Sequence, residues 1–326
     1  MLEELGEPLS YRRMLSQALV RLGERDPSIV VVDADTSGST GAAAFAERFP
    51  ERFFSVGISE QDLLGTASGL AIAGLKPLAI GFAMFLMRGW EVIRNTIARD
   101  HLNVKIIGTH SGLSDHMDGS SHQCLEDIAL TRVLPGFTVV SPGDPLTIEP
   151  LLEQALELEG PVYMRLGRDN AIARVHGDPH GVRLGRIEVV EPPRGEVLIA
   201  SHGSMLPIAA LTREALEERG ISAGLVDVHT IKPLDREGLE KLASNTRLIV
   251  SIEDHNVIGG LGGALAEWLS SPGSPGHVRL LRLGVEDRFG SSSRSYTRLL
   301  EHLGLTPEQL ATRIEGVLER DLQGRR

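Results

Sequence analysis

Short apolar runs, rich in β-branched residues, recur along the chain. IVVVD (29–33), FFSVGI (53–58), PLAI (77–80), VKIIGT (104–109), FTVVS (137–141) and PVYMRL (161–166) all read as buried strands. Longer segments with helical patterns lie between them, among them 61–73, 87–99 and 146–158. That alternation predicts a parallel sheet with helices on both faces. The polar stretch from Val190 to Gly195 carries two adjacent prolines and reads as a linker. Beyond it the pattern resumes with VLIAS (197–201), AGLVDV (223–228), RLIVSI (247–252) and VRLLRL (278–283). The expected fold is therefore α/β, with one domain over residues 1–188 and a smaller one over 195–326.

Composition narrows the class of function. The chain has 326 residues, 41% of them hydrophobic, which is enough for a proper core and leaves no segment reading as disordered. A formal charge of -11, without a basic stripe, argues against nucleic acid as a partner. Cys124 stands alone, so no intrachain disulfide can form and a reducing, cytoplasmic compartment is expected. The opening residues MLEELGEPLSYRR contain no apolar signal segment. The stretch from Gly65 to Met87 is apolar enough to raise a membrane helix, but Lys76 and Pro77 interrupt it, and a soluble core is the better reading.

Candidate chemistry gathers just after strands, where open α/β sheets bind ligands. Asp35 to Ser39 follow the first strand, and Ser59, Glu60 and Gln61 follow the second. His110 ends the strand over 104–109, a loop then carries Asp118 to Gln123, and Arg168, Asp169 and Asn170 follow the strand over 161–166. Ser59 and Asp62 form a capping pattern that places Glu60 in the first turn of a helix. There it serves either as a complement to the helix dipole or as a chemical group. Phe82, Phe85 and Arg88 are spaced by three and predict one helix face, either packed in the core or sandwiching a flat heterocycle. The loop from His110 to Gln123 holds three histidines and two aspartates without the spacing of a familiar zinc motif, so no metal site is expected. Arg165 and Arg168 are candidates to hold an anion, with Ser39 as a hydroxyl donor. The glycine-rich run from Ile258 to Ala264 does not match the dinucleotide fingerprint, and tight helix–strand packing is its better explanation.

Together these segments resemble the transketolase family. GISEQDLLGTASGLAIAG (57–74) is similar to the segment whose glutamate contacts the cofactor's aminopyrimidine in transketolases and deoxyxylulose-phosphate synthases. Asp118-Gly-Ser-Ser-His122-Gln123 resembles their D-G-x-x-H-Q loop, and RLGRDN (165–170) their sugar-phosphate arginine segment. DVHTIKPLD (227–235) and SIEDHNVIGGLGGAL (251–265) resemble the family's C-terminal domain. The resemblance implies thiamine diphosphate as cofactor, with Glu60 at N1′ of the pyrimidine, Phe85 stacked on that ring and Phe82 and Asp35 beside it. It implies His122 as an acid/base group facing the reacting carbons and Asp118 on a substrate hydroxyl. Ser39, His110 and Arg168 match the substrate's phosphate-binding positions, and Arg88, implied as a further substrate contact, falls where the synthases have an arginine and transketolases usually an aromatic.

Full-length members carry a G-D-G…N segment for the diphosphate and Mg2+ (or Ca2+), and no such segment is found here. The resemblance therefore implies the second subunit of a two-chain transketolase. Its expected partner is an N-terminal-type, diphosphate-binding subunit in an α2β2 heterotetramer acting on sugars or sugar phosphates. The alternatives are a deoxyxylulose-phosphate-synthase-like carboligase, a 2-oxo acid dehydrogenase β subunit and an inactive regulatory subunit.

Overall fold

The structure, a computed structural model, describes residues 9–168, 171–172, 175–176 and 179–323. The first half contributes β1 (Leu9–Ser10), β2 (Ile29–Asp33), β3 (Phe53–Ser55), β4 (Lys76–Phe82), β5 (Lys105–Thr109), β6 (Thr138–Val140), β7 (Val162–Arg165) and β8 (Ala171–Ile172). The second contributes β9 (Glu188–Glu191), β10 (Val197–Ser201), β11 (Ala223–Asp227), β12 (Thr230–Lys232), β13 (Leu248–Asn256) and β14 (Arg279–Val285).

Two main sheets form, and both are mainly parallel. The first runs β12-β6-β7-β5-β4-β2-β3, parallel throughout except for β12, and the second runs β14-β13-β10-β11-β9, parallel except for β9. Apolar side chains are buried on both faces of each sheet, which is why these strands read as unbroken apolar runs. The α/β class and parallel order expected from the pattern are present.

Several boundaries differ from the sequence reading. The run over 53–58 pairs only through Phe53–Ser55, because it is a short edge strand whose chain then turns towards the site. The segment over 87–99 is not one regular helix. A tight turn at Met87–Gly89 leads into Trp90–Val92, and Ile93–Ala98 widens so that the Arg99 N–H bonds to the Arg94 carbonyl at 3.2 Å. Val190 and Glu191, read as linker, belong to β9 and pair with β11, while Pro193 lies against Gly224. β12 crosses back to the edge of the first sheet and pairs antiparallel with β6.

That exchange makes the contact between the halves continuous, and a buried arginine pins it. Arg165, at the end of β7, donates to Asp127 at 3.0 Å and to Asp254 of β13 at 2.7 Å, while Tyr163 donates to Asp127 at 2.7 Å. Burial opposes the guanidinium charge, but the two aspartates outweigh it and hold the arginine protonated. Arg165 was a candidate for an anion; its donors are already taken, so it is a pin between domains. Arg165→Met leaves two buried aspartates uncompensated and is expected to cost about 3–5 kcal/mol. A shift in the urea midpoint equivalent to less than about 1 kcal/mol would contradict this reading of the pin.

The glycine run finds a similar explanation. Buried Glu253 accepts from the backbone N–H groups of Leu261 and Gly262 at 2.7 and 2.9 Å, at the start of helix Leu261–Leu269. A Cβ on Gly260 would lie 2.0 Å from the Glu253 carboxylate, so only glycine admits that close approach. Among the described residues, no helix is long and apolar enough to cross a membrane, and the Gly65–Met87 segment splits into helix, strand and turn.

Candidate active site

Because β2, β3, β4, β5 and β7 are parallel, their carboxyl ends share one edge of the sheet. Five loops leave that edge, each carrying a candidate residue.

Asp33 ends β2 and accepts from the Thr36 N–H and hydroxyl at 3.0 and 2.9 Å, bending the chain sharply. Asp35 inside that turn is exposed, with φ of 64°, a left-handed conformation that non-glycine residues adopt at a cost. Ser39 follows on the short helix Ser37–Thr40, also exposed.

Helix Glu60–Ile72 starts as the sequence suggested, but the Ser59 side chain makes no capping bond. Glu60 is buried in the first turn, with only 8% of its side chain exposed. Its carboxylate lies 3.6 Å from Arg88, whose own side chain is 71% exposed. A Cβ on Gly89 would meet Leu64 at 2.4 Å and the Glu60 carbonyl at 3.4 Å, so glycine lets this turn close over the helix start. Arg88, expected towards substrate, thus lies against Glu60.

Phe82, Phe85 and Arg88 do not share a helix face, since Phe82 ends β4, Phe85 sits in the helix Ala83–Leu86 and Arg88 in the turn after it. Both phenylalanines are half-buried, and their rings lie near-parallel with centroids 5.5 Å apart. Phe82 stacks on His110 at 3.7 Å, and the His122 ring stands edge-on to Phe85 at 5.4 Å. Four rings from the segments after β4 and β5 therefore make one aromatic shelf.

His110 is buried with φ of 56°, a second left-handed residue at a strand end. Its Nδ1 lies 3.0 Å from the Thr109 hydroxyl. Burial, reinforced by Arg168, His122 and Arg12, brings its pKa down to about 4, so the ring is neutral at physiological pH. Unfolded histidine titrates near 6.5, so between about 6.5 and about 4 only the unfolded chain takes this proton. The contribution of His110 to stability is complete above pH 6.5 and lost as pH falls towards 4. His110→Gln is expected to flatten the acid limb of a stability–pH profile over that interval. An unchanged limb would show the ring to be solvated.

The loop from Ser111 to Gln123 is held from both domains. Gln123 donates to the Asp115 and Ser291 carbonyls at 3.2 and 3.1 Å, and the Ser293 N–H donates to the His116 carbonyl at 2.7 Å. Gly119 has φ of 81°, and a Cβ there would strike Ser292 at 2.2 Å. Asp118 is exposed, and half-buried His122 places Nδ1 3.0 Å from the Ser121 hydroxyl. Arg168 binds Asp115 through Nη1, which also lies 3.3 Å from Asp118, and its N–H donates to Ser114 at 2.8 Å. Asp169 and Asn170 lie outside the described residues.

Two residues were missed by the sequence reading. Arg12, on the helix Tyr11–Arg25, lines a small cleft with Ser39, Thr109 and His110; it lies outside the loops that follow the parallel strands. Asp115 was counted only as one acid of the loop. It is fully buried, its carboxyl raised chiefly by burial against the opposing pull of Arg168. Among the described residues, no group of three or more His, Cys, Asp or Glu is arranged to hold a metal ion.

Comparison with known proteins identifies the family. Residues 7–172 match the transketolase pyrimidine-binding domain and residues 185–310 the transketolase C-terminal domain. This chain belongs to the transketolase family. It is 41% identical over 305 residues to a Methanocaldococcus jannaschii protein described provisionally as a transketolase C-terminal section, covering 93% of this chain and 94% of that protein. It is 34% identical over 303 residues to a 6-deoxy-6-sulfo-D-fructose transketolase subunit of Clostridium sp. strain MSTE9, covering 93% and 92%. It is also 33% identical to the 1-deoxy-D-xylulose-5-phosphate synthase of Halalkalibacterium halodurans, but spans only 49% of that protein. A solved split-gene transketolase, described as an inactive beta4 tetramer, superposes with a TM-score of 0.86 at 40% identity, covering 95% of this chain and 99% of that one. The Pichia stipitis transketolase shares the fold, with a TM-score of 0.80 at 21% identity, over 94% of this chain and 45% of that one. Membership implies a thiamine-diphosphate-dependent transferase.

Proposed function

We propose that this transketolase-family chain is the pyrimidine-binding subunit of a two-chain transketolase, moving a two-carbon ketol unit from a ketose to an aldose. One arrangement carries the reading: buried Glu60 and an aromatic shelf of Phe82, Phe85, His110 and His122, gathered at one edge of the sheet. A half-buried shelf of that kind suits a flat heterocycle, and a buried carboxylate suits a ring nitrogen that must gain and lose a proton. Among the described residues, Arg88 competes for Glu60. Its pairing is weak because its own side chain is largely in water.

Thiamine diphosphate, when bound, supplies the carbon nucleophile and electron sink for breaking and making the C–C bond. In this reading Glu60 holds a proton at the pyrimidine N1′, while Phe85, Phe82 and Asp35 fix and flank the ring. His122 moves a proton at the substrate's reacting oxygen, and Asp118 accepts from a neighbouring hydroxyl. Ser39, Arg12, His110, Arg168 and Arg88 line the approach for the rest of the sugar. The diphosphate and its Mg2+ (or Ca2+) are assigned to an N-terminal-type partner subunit in an α2β2 assembly, in a cytoplasmic setting. In support, this chain spans nearly all of two relatives described as a transketolase section and a transketolase subunit. Residues 1–188 would form the pyrimidine-binding domain and 195–326 the C-terminal domain.

The test is co-expression with the diphosphate-binding chain of a neighbouring gene, followed by mass spectrometry. Labelled β-hydroxypyruvate and a panel of aldoses are expected to give products two carbons longer. Condensation only with a 2-oxo acid lacking the hydroxyl would favour the carboligase reading instead. No product from any pair would sink both.

A further inference from the structure

The loop that carries Asp118 and His122 leaves the first sheet, yet both its flanks are rooted in the second domain. Leu113 and Leu125 are buried in that domain's apolar core, with residues such as Met205, Ile252 and Leu300. Between those anchors the chain closes into a compact turn, in which the Gly119 carbonyl accepts from the His122 and Gln123 N–H groups at 2.9 and 3.1 Å. The place of His122 on the aromatic shelf therefore depends on what holds the base of this turn.

Gln123 holds it. Its side chain is buried, and its Nε2 donates to one carbonyl from each domain, that of Asp115 at 3.2 Å and that of Ser291 at 3.1 Å. Ser291 lies on the segment that joins β14 to the helix Tyr296–Leu303. The two acceptors fix which way the amide faces, since turning it over would set Oε1 against both carbonyl oxygens. Oε1 is then left buried without a hydrogen-bond partner among the described residues, a cost that an apolar side chain of similar size would avoid. It faces a wall of the second domain where glycine alone fits, because a Cβ on Gly290 would lie 1.7 Å from it. The same segment meets the turn twice more, with Ser292 against Gly119 and the Ser293 N–H donating to the His116 carbonyl at 2.7 Å. Displacing a reacting group by about 1 Å costs up to roughly 10²-fold in rate, so a clamp of this kind bears directly on turnover.

We propose that Gln123 and Gly290 are positioning residues, through which the second domain sets the place of His122 at the site of the first. This rests on the proton-transfer role given to His122 above.

Gly290→Ala and Gln123→Ala are compared singly and together in the assembled two-chain enzyme with thiamine diphosphate and Mg2+. The donor is β-hydroxypyruvate and the acceptor glycolaldehyde, at temperatures where circular dichroism shows each variant folded. Each single variant is expected to lose roughly tenfold or more in kcat, with KM for the donor moving by less than about threefold. The double variant is expected to be no slower than the worse single, since both changes act at one contact. Losses that multiply in the double would overturn the proposal, as would losses carried by KM alone or a kcat within about twofold of wild type.

Histidine-selective NMR on the full chain gives a reading that needs no turnover. The His122 ring stands edge-on to Phe85, so its C–H resonances are displaced by the ring current and are identified by their loss in His122→Gln. They are expected to move towards the random-coil position in Gly290→Ala, or in Gln123→Ala should Gly290→Ala not fold. An unmoved His122 signal in the folded variants overturns the proposal even where activity falls. If the wild-type assembly turns over no donor, the ketol-transfer reading fails by itself, and the NMR comparison still decides whether the second domain sets the place of His122.

Discussion

Glu60→Gln, assembled with its partner subunit and saturated with cofactor, is expected to lose about 10²–10⁴-fold in kcat. The substitution preserves shape and hydrogen-bonding reach but removes the group that can hold a proton at the pyrimidine N1′. Folding should be little affected, because among the described residues the carboxylate's charge partner is Arg88, whose own side chain is largely in water, so that the pairing is worth about 0–1 kcal/mol. The loss should therefore fall on kcat, with substrate KM nearly unchanged and the denaturation midpoint close to wild type. Near-normal turnover in Glu60→Gln would remove Glu60 from the chemistry and leave it as a helix-dipole residue.

The isolated chain is expected to be inactive and to bind thiamine diphosphate with Mg2+ no better than weakly. Its candidate contacts serve the pyrimidine end: Glu60, Phe82, Phe85 and exposed Asp35. The diphosphate–metal end is the most charged part of the cofactor and wants hard oxygen ligands. The described residues present no cluster of three or more acidic, histidine or cysteine side chains placed for a metal. The candidate edge is also open, with Asp35, Ser39, Arg88 and Asp118 all exposed, so water would screen the electrostatics that proton transfer needs. Calorimetry and turnover assays on the purified chain check this. Micromolar cofactor affinity, or turnover without a second polypeptide, would show that the chain carries the missing ligands itself.

The strands were legible because a parallel sheet covered on both faces demands unbroken apolar runs, and Ile29–Asp33 and Val197–Ser201 match the runs residue for residue. The edge strands were not. β3 is shorter than its apolar run, and β9 and β12 are polar segments that pair because neighbouring strands offer free edges. The irregular helix over 87–99 was equally invisible, since its turn at Gly89 is set by packing against Leu64 and Glu60.

At the site, sequence alone determined that polar residues would follow the strands, because parallel strands deliver their carboxyl ends to one edge. It also determined the placing of Glu60 at a helix start and the close-packed role of the glycines from Gly259 to Gly263. Only the tertiary structure decided what each charge faces. Arg165 and Arg168 lie three residues apart and read alike, yet one is buried between Asp127 and Asp254 while the other binds Asp115. Arg88 turned to Glu60, Arg12 arrived from the first helix, and Asp115 went inside to meet Arg168. The physical reason is range. Strand and helix patterns are written in neighbours a few residues apart, whereas an ion pair is settled by which charges the fold brings within about 4 Å, whatever their separation along the chain.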